Sequence, residues 1–219
     1  MNREKFITTP EFKKTHGVHI TTDHTGKMTG FGSLSTSSIC NSFCQARKKC
    51  PGSICQKCFA APMLKMYKGL SAALIRNFEI LTTKEIPARE WPVLNTRFFR
   101  LESFGDVQNK IQVKNYFNFC RRNPHTNFSI WTKNPAIFAA ALTETQKPKN
   151  LIIILSSHML DTIAGAENFS FVDKIFTVWS SKEKAAENGV KINCGARQCL
   201  TCLNCYQNRG PRYIHEVLR

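Results

Sequence analysis

The chain has 219 residues, 42% of them hydrophobic and 21% charged, which excludes a disordered or low-complexity protein and fits one domain around a buried core. Lysine and arginine outnumber aspartate and glutamate by 31 to 15, giving a formal charge of +16, which bears on partners and not on fold. Ten cysteines are more than an ordinary enzyme of a reducing compartment carries without a metal.

The start, Met1-Asn2-Arg3-Glu4-Lys5-Phe6, has no apolar run behind it, whereas a secretory signal needs a stretch of about 7–15 apolar residues. The apolar run Leu151 to Leu155 is far short of the ~20 residues that span a bilayer. The expectation is a soluble intracellular protein, cytoplasmic and without membrane contact. In that setting clustered cysteines point to metal binding rather than to disulfides.

We read residues 1–219 as a single domain in three parts: a Cys-rich segment at 1–60, a βα core at 61–193 and a second Cys-rich segment at 194–219. In the first part, His16, His19 and His24 fall in a stretch that reads as a hairpin around Asp23-His24-Thr25-Gly26, which leaves them exposed. Residues 70–81 have the pattern of an amphipathic helix. Residues 97–101 read as a short strand. Val113, Tyr116, Phe117 and Cys120 recur at i, i+3, i+4 and i+7, so they mark one helix face and make Cys120 a core residue; Pro124 ends that helix. A strand follows at 127–132, and then a helix capped by Asn134 with Pro135 at its first position. Residues 151–155 read as a fully buried strand and 174–179 as another. Ser180-Ser181-Lys182-Glu183 has the form of a capping box, Gly189 of a helix stop, and 190–193 of a last short strand.

Strands alternating with helices at intervals of about 25 residues predict an α/β fold of parallel βα units. There are too few strands for a closed eight-unit barrel, so the expectation is a partial barrel or open sheet with metal-binding loops at both ends. In such folds the site lies at the carboxyl ends of the strands. Asp106, Lys133 and His158 follow three successive strands, and we take them as candidate catalytic groups that hold or protonate a small polar or phosphorylated ligand.

The cysteines form two clusters, Cys40-x3-Cys44-x5-Cys50-x4-Cys55-x2-Cys58 and Cys194-x4-Cys199-x2-Cys202-x2-Cys205. Thiolates suit zinc and iron–sulfur clusters. The C-x2-C-x2-C run of the second group is a spacing of 4Fe–4S loops, while its CxxC pairs leave zinc open as the alternative. In the first group, Cys40, Cys44, Cys55 and Cys58 are the candidate ligands, with Cys50 spare. Its Cys40-x3-Cys44 start is like that of the radical S-adenosylmethionine signature, but Arg47 stands where a third cysteine would fall. Basic runs at Lys13-Lys14, Arg47-Lys48-Lys49 and Arg121-Arg122 make nucleic acid or a phosphorylated ligand a candidate partner.

Taken in order, these motifs resemble the gene-product-88-like family of phage and mobile-element proteins. The matching residues are Cys40 and Cys55 upstream of Cys58-Phe59-Ala60; Arg76-Asn77 on a helix; a Ser-Gly-Asp turn at Ser103-Phe104-Gly105-Asp106, with Phe104 inserted; Trp131-Thr132-Lys133 ending a strand; and Cys199, Cys202 and Cys205. The resemblance implies an oxygen-sensitive viral iron–sulfur protein, distantly like radical-enzyme barrels, located in the host cytoplasm or the virion. It leaves three functions open. They are a cluster-dependent enzyme or redox protein acting on a small polar ligand, a cluster-stapled nucleic-acid-binding module without catalysis, and a zinc-stapled version of that module.

Overall fold

A computed structural model describes residues 6–196 and 198–218; the polar start at 1–5 lies outside them. Helix α1 (Thr9–His16) begins on a capping box, in which Thr8 and Glu11 satisfy each other's backbone N–H groups, and it ends at Gly17 with φ 75°. A 3₁₀ turn (Gly26–Met28) leads into strand β1 (Gly32–Leu34). Helix α2 (Ser42–Lys49), a 3₁₀ turn (Ile54–Lys57) and helix α3 (Ala60–Met66) carry the first cysteine cluster. Then come α4 (Lys68–Thr83), β2 (Phe98–Leu101), α5 (Lys110–Arg122), β3 (Asn127–Thr132), α6 (Pro135–Leu142) and β4 (Leu151–Ser156). The chain closes with β5 (Lys174–Trp179), α7 (Lys182–Glu187), α8 (Cys199–Cys202) and β6 (Tyr213–Val217).

The six strands form one all-parallel sheet in chain order, β1-β2-β3-β4-β5-β6, with β1 and β6 at its edges. This is the expected α/β architecture of parallel units, open and not closed into a barrel. Crossovers that advance one strand at a time with one hand put their helices on one face. That face holds the main core: Phe99, Leu101, Phe128, Ile130, Ile153 and Ile175 from the strands meet Leu81, Val113, Tyr116, Phe117 and Phe138 from the helices. Trp91 anchors one end, its ring centroid 4.8 Å from Phe12 and 4.7 Å from Phe119. Cys120 lies in this core, as its helix position implied. No helix among the described residues is long and apolar enough to cross a membrane.

The opposite face is different in kind. By register, Arg100 of β2 lies beside Ser129 of β3, and Trp131 beside Ile154 of β4, which in turn lies beside Lys174 of β5. The segment before β1 and the C-terminal cysteine loop cover this face: Phe31 and Tyr206 pack with Phe98, and Trp131 packs against them. Lys27, in the turn before β1, reaches Glu216 on β6 at 3.2 Å. Six strands laid flat would hold their edges about 24 Å apart. The contact therefore needs a concave face with residues 26–31 leaning over it.

Four sequence expectations are corrected. Residues 190–193 are not a strand; Asn193 runs alongside β6, donating from its side chain to the Tyr213 carbonyl at 2.9 Å and accepting from His215 N–H at 2.8 Å. The last strand is Tyr213–Val217, whose mixed Tyr-Ile-His-Glu-Val sequence gives little apolar signal. The region of His16, His19 and His24 is no hairpin, because a single bridge joins Thr21 to Ser33 and His16 ends α1. The N-cap of α7 is Ser181, which accepts from Lys184 N–H, so the Ser180–Glu183 box is shifted by one residue. Asn134 makes no side-chain cap on α6; its own N–H donates to Thr132 Oγ1 at 2.9 Å.

The Arg76-Asn77 step has a structural meaning. Asn77 is buried on α4. It accepts from His19 N–H at 2.7 Å and donates to the carbonyls of His19 at 2.8 Å and Ser35 at 2.9 Å. Asn77 thus pins the segment before β1 and the chain after it to the helix layer. Asn77→Ala is expected to cost about 3 kcal/mol, since it leaves buried backbone groups unpaired. Chemical denaturation measures it; a loss below about 1 kcal/mol would show that water replaces the amide.

Candidate metal centre

The second cysteine cluster lies over the open face of the sheet. Cys194, Cys199, Cys202 and Cys205 line one pocket together with Lys27, Leu203 and Tyr206. Three local features set the loop there. Short α8 presents Cys199 and Cys202 one turn apart. Leu203 turns the chain in the left-handed region, φ 54°. Ser129 Oγ on β3 then donates to the Cys205 carbonyl, and Tyr206 packs 4.6 Å from Phe31 and 5.9 Å from Trp131. Among the described residues, no group of three or more His, Cys, Asp or Glu side chains converges closely enough to hold a single metal ion.

Cations gather around these thiols. Lys27 Nζ lies 3.7 Å from Cys194 Sγ. Burial disfavours its ammonium, yet Glu216 and the cysteines outweigh that and raise its pKa. Burial also raises the thiols: Cys194, with Glu216 adding to the effect; Cys199; and Cys205, which is pushed up to about 12. Lys27 opposes the shift at Cys194 and Cys199, and Arg100 opposes it at Cys199 and Cys205. Lys174, buried on β5, donates to the Pro211 carbonyl at 3.0 Å and adds its charge near Cys205. Thiols held protonated by burial are poor nucleophiles, and a soft metal is what deprotonates such a set. Four cysteine sulfurs in a cationic setting therefore fit a thiolate-ligated metal group.

The first cluster lies elsewhere, at the carboxyl edge of the sheet. Cys40 is exposed, while Cys44, Cys50, Cys55 and Cys58 are half-buried. Asn41 caps α2 by accepting from Cys44 N–H at 2.9 Å and donates to the Asp106 carbonyl at 2.6 Å, which ties the cysteine helix to the turn after β2. Burial raises the Cys44 thiol, and Asp106, Glu102 and Cys55 add to the effect. Ile54 N–H donates to the His158 carbonyl at 2.9 Å, docking the Cys50–Cys58 loop on the end of β4. The inserted Phe104 packs 5.9 Å from Phe59 of the Cys58-Phe59-Ala60 step.

The structure brings Asp106, Lys133 and His158 to this same edge. Asp106 is buried and accepts from Val107 N–H, Thr132 Oγ1 and Lys133 N–H at 2.7–2.8 Å. Its carboxylate thus holds the turn that presents Lys133. Burial lowers the His158 pKa, and the charges of Arg47 and Lys133 lower it further. The positive charges of Arg47 on α2 and Lys133 after β3 thus act on the imidazole after β4. His16, His19 and His24 do not form a ligand set: they face Glu90, Thr21 and Ser33 in turn.

Glu102 stands among the polar strand-end residues, but no role was assigned to it from sequence. It follows β2 in the left-handed region, φ 55°, a strained conformation for a residue with a side chain. Its buried carboxylate accepts from Thr36 N–H at 3.1 Å, Thr36 Oγ1 at 2.9 Å, Gln112 Nε2 at 2.7 Å and the Tyr116 hydroxyl. Burial nevertheless pushes its pKa up to about 7, from an ordinary 4.5. A raised carboxyl pKa means that the folded state holds the proton more tightly. Its contribution to stability is full below the unfolded value and is lost as pH climbs toward 7, by about 3 kcal/mol at 1.36 kcal/mol per unit. The histidines with lowered pKa values act in the opposite sense over part of this window. The readout is therefore the difference between wild type and Glu102→Gln in urea midpoints from about pH 5 to about pH 8. Parallel curves for the two proteins would contradict the assignment.

No curated protein and no solved structure matches the chain. The gene product 88 family model matches residues 10–215, a span that takes in both cysteine clusters, strands β1 to β5 and the start of β6. The chain therefore belongs to the gene product 88 family.

Proposed function

We propose that the protein is an iron–sulfur protein that holds a 4Fe–4S cluster through Cys194, Cys199, Cys202 and Cys205. The observation that carries this reading is that these four cysteines line one pocket together with the Lys27 ammonium. A single zinc needs four donors drawn around one point at about 2.3 Å from sulfur. A cubane takes one thiolate at each of four irons and so suits sulfurs spread around a space. Three of the cations behind the +16 net charge, Lys27, Arg100 and Lys174, act on these cysteines, which suits a cluster with four thiolates and net negative charge.

On this reading the first group, Cys40, Cys44, Cys55 and Cys58, supplies a second thiolate set beside a small-ligand pocket at the strand ends. Lys133 and His158 attract and hold a small anionic or polar ligand there, and Asp106 positions Lys133. A cluster at such an edge supplies one-electron chemistry. The test is the spectrum of anaerobically prepared full-length protein. A brown protein whose broad visible absorption bleaches with dithionite agrees with the proposal, while a colourless protein that binds zinc stoichiometrically overturns it.

A further inference from the structure

Near the C-terminal pocket, Arg100 has a buried side-chain donor whose hydrogen bonding is left incomplete among the described residues. It lies on the open face of β2, in register with Ser129 of β3. Ser129 Oγ donates to the Cys205 carbonyl, so Cys205 sits directly over this register pair. The guanidinium carbon lies 4.3 Å from the Trp131 ring centroid, a cation–π contact that holds the guanidinium on the indole. Arg100 Nε is buried, and no acceptor reaches it among the described residues. A buried donor without a partner is costly, so such a group calls for an explanation by a ligand or ion. The charge of Arg100 already acts on Cys199, Cys205 and Tyr206.

We infer that Arg100 is a positioning residue for the cluster, with its Nε–H donating to the Cys205 sulfur once that sulfur is a metal-bound thiolate. The inference rests on the cluster reading above. Hydrogen bonds to cluster sulfurs stabilise the more negative, reduced state and raise the reduction potential. The indole of Trp131 holds the guanidinium, and the Ser129 bond holds Cys205, so donor and acceptor are both set before the cluster arrives. Arg100 remains a guanidinium throughout: reduction adds one electron to the cluster, supplied in the experiment by dithionite, and moves no proton.

The test is a potentiometric titration of the anaerobic full-length protein, read by the EPR signal of the reduced cluster. Arg100→Gln, which removes both the charge and the Nε donor, is expected to disfavour reduction at least tenfold, about 59 mV for one electron. Arg100→Lys keeps the charge without that donor and is expected to fall between Arg100→Gln and wild type. Arg97→Gln removes an exposed cation beside Phe98 and is expected to leave the potential unchanged. Equal potentials for Arg100→Gln and wild type would overturn the inference, and a wild-type potential in Arg100→Lys would overturn the hydrogen bond, because charge alone would then suffice. Pulsed EPR of wild type containing ¹⁵N-arginine needs no variant: a resolved ¹⁵N coupling supports the bond, and its absence contradicts it. A wild-type protein without iron would sink the cluster reading itself, an outcome distinct from a loaded cluster indifferent to Arg100.

Discussion

Cys199→Ser, purified without oxygen, is expected to lose most of its iron and sulfide from the C-terminal site. Cys199 belongs to the short α8 that offers two thiols one turn apart, and it lines the same pocket as Cys194, Cys202 and Cys205. Serine keeps the size of the side chain and removes the soft donor, so the change acts on ligation more than on packing. Cys50→Ser is the companion variant. Cys50 Sγ has only a weak contact, at 3.8 Å, with the carbonyl of the adjacent Pro51, and its iron content is expected to match wild type. If Cys199→Ser proves insoluble, the same experiment on Cys202→Ser replaces it. Full iron and sulfide in a soluble Cys199→Ser protein, with an unchanged spectrum, would remove the C-terminal cysteines from the account.

Stripping the metal is expected to lower the melting temperature by more than about 10 °C, given that about 1 kcal/mol shifts a chain of this size by about 2–4 °C. The reason is architectural. The helix face of the sheet has its own apolar core, but the open face is covered by a loop. That loop is tied down by the Ser129–Cys205 bond, the packing of Tyr206 and the contact of Cys194 with Lys27, which the Lys27–Glu216 pair holds to β6. A part-exposed ion pair contributes little, typically under about 1 kcal/mol. Metal ligation at four points of one loop adds its binding energy to folding. Scanning calorimetry of the loaded and chelator-treated protein measures the difference. Coincident unfolding curves would mean that the loop holds without metal and that the staple is not part of the fold.

Much of the sheet was legible because β4 is buried at every position and reads as a near-continuous apolar run, while β3 and β5 are buried at most positions. The interruptions in that pattern carried information that sequence alone could not place. Arg100 and Ser129 break apolar strands at positions that the pairing puts side by side on one face. Lys174, at the start of β5, is buried on the same face and bonds to the Pro211 carbonyl. Strand β6 was missed because its alternation of Ile214 with His215 and Glu216 gives too weak a signal in five residues. Helices α1 and α2 were missed because each shows few buried residues, and α1 is announced mainly by its Thr8–Glu11 box.

The site was legible to the extent that its parts are local in sequence. Cys199, Cys202 and Cys205 are close along the chain, and it is their spacing that raises the expectation of a metal loop. Asp106, Lys133 and His158 follow parallel strands, and parallel pairing brings them to one edge. Lys27 could not be assigned, because its contact with Cys194 joins positions 167 residues apart. Glu102 was hidden for a similar reason: its strain and its bonds to Thr36, Gln112 and Tyr116 appear only once β1, β2 and α5 are assembled.

The central claim is that the C-terminal cysteines hold an iron–sulfur cluster, and the most direct test is metal and sulfide analysis of the anaerobically purified full-length protein. The account predicts iron and acid-labile sulfide in equal amounts, about four of each per cluster, with little zinc. Zinc at about one per chain with no acid-labile sulfide would contradict it and return the cysteine loop to a zinc staple.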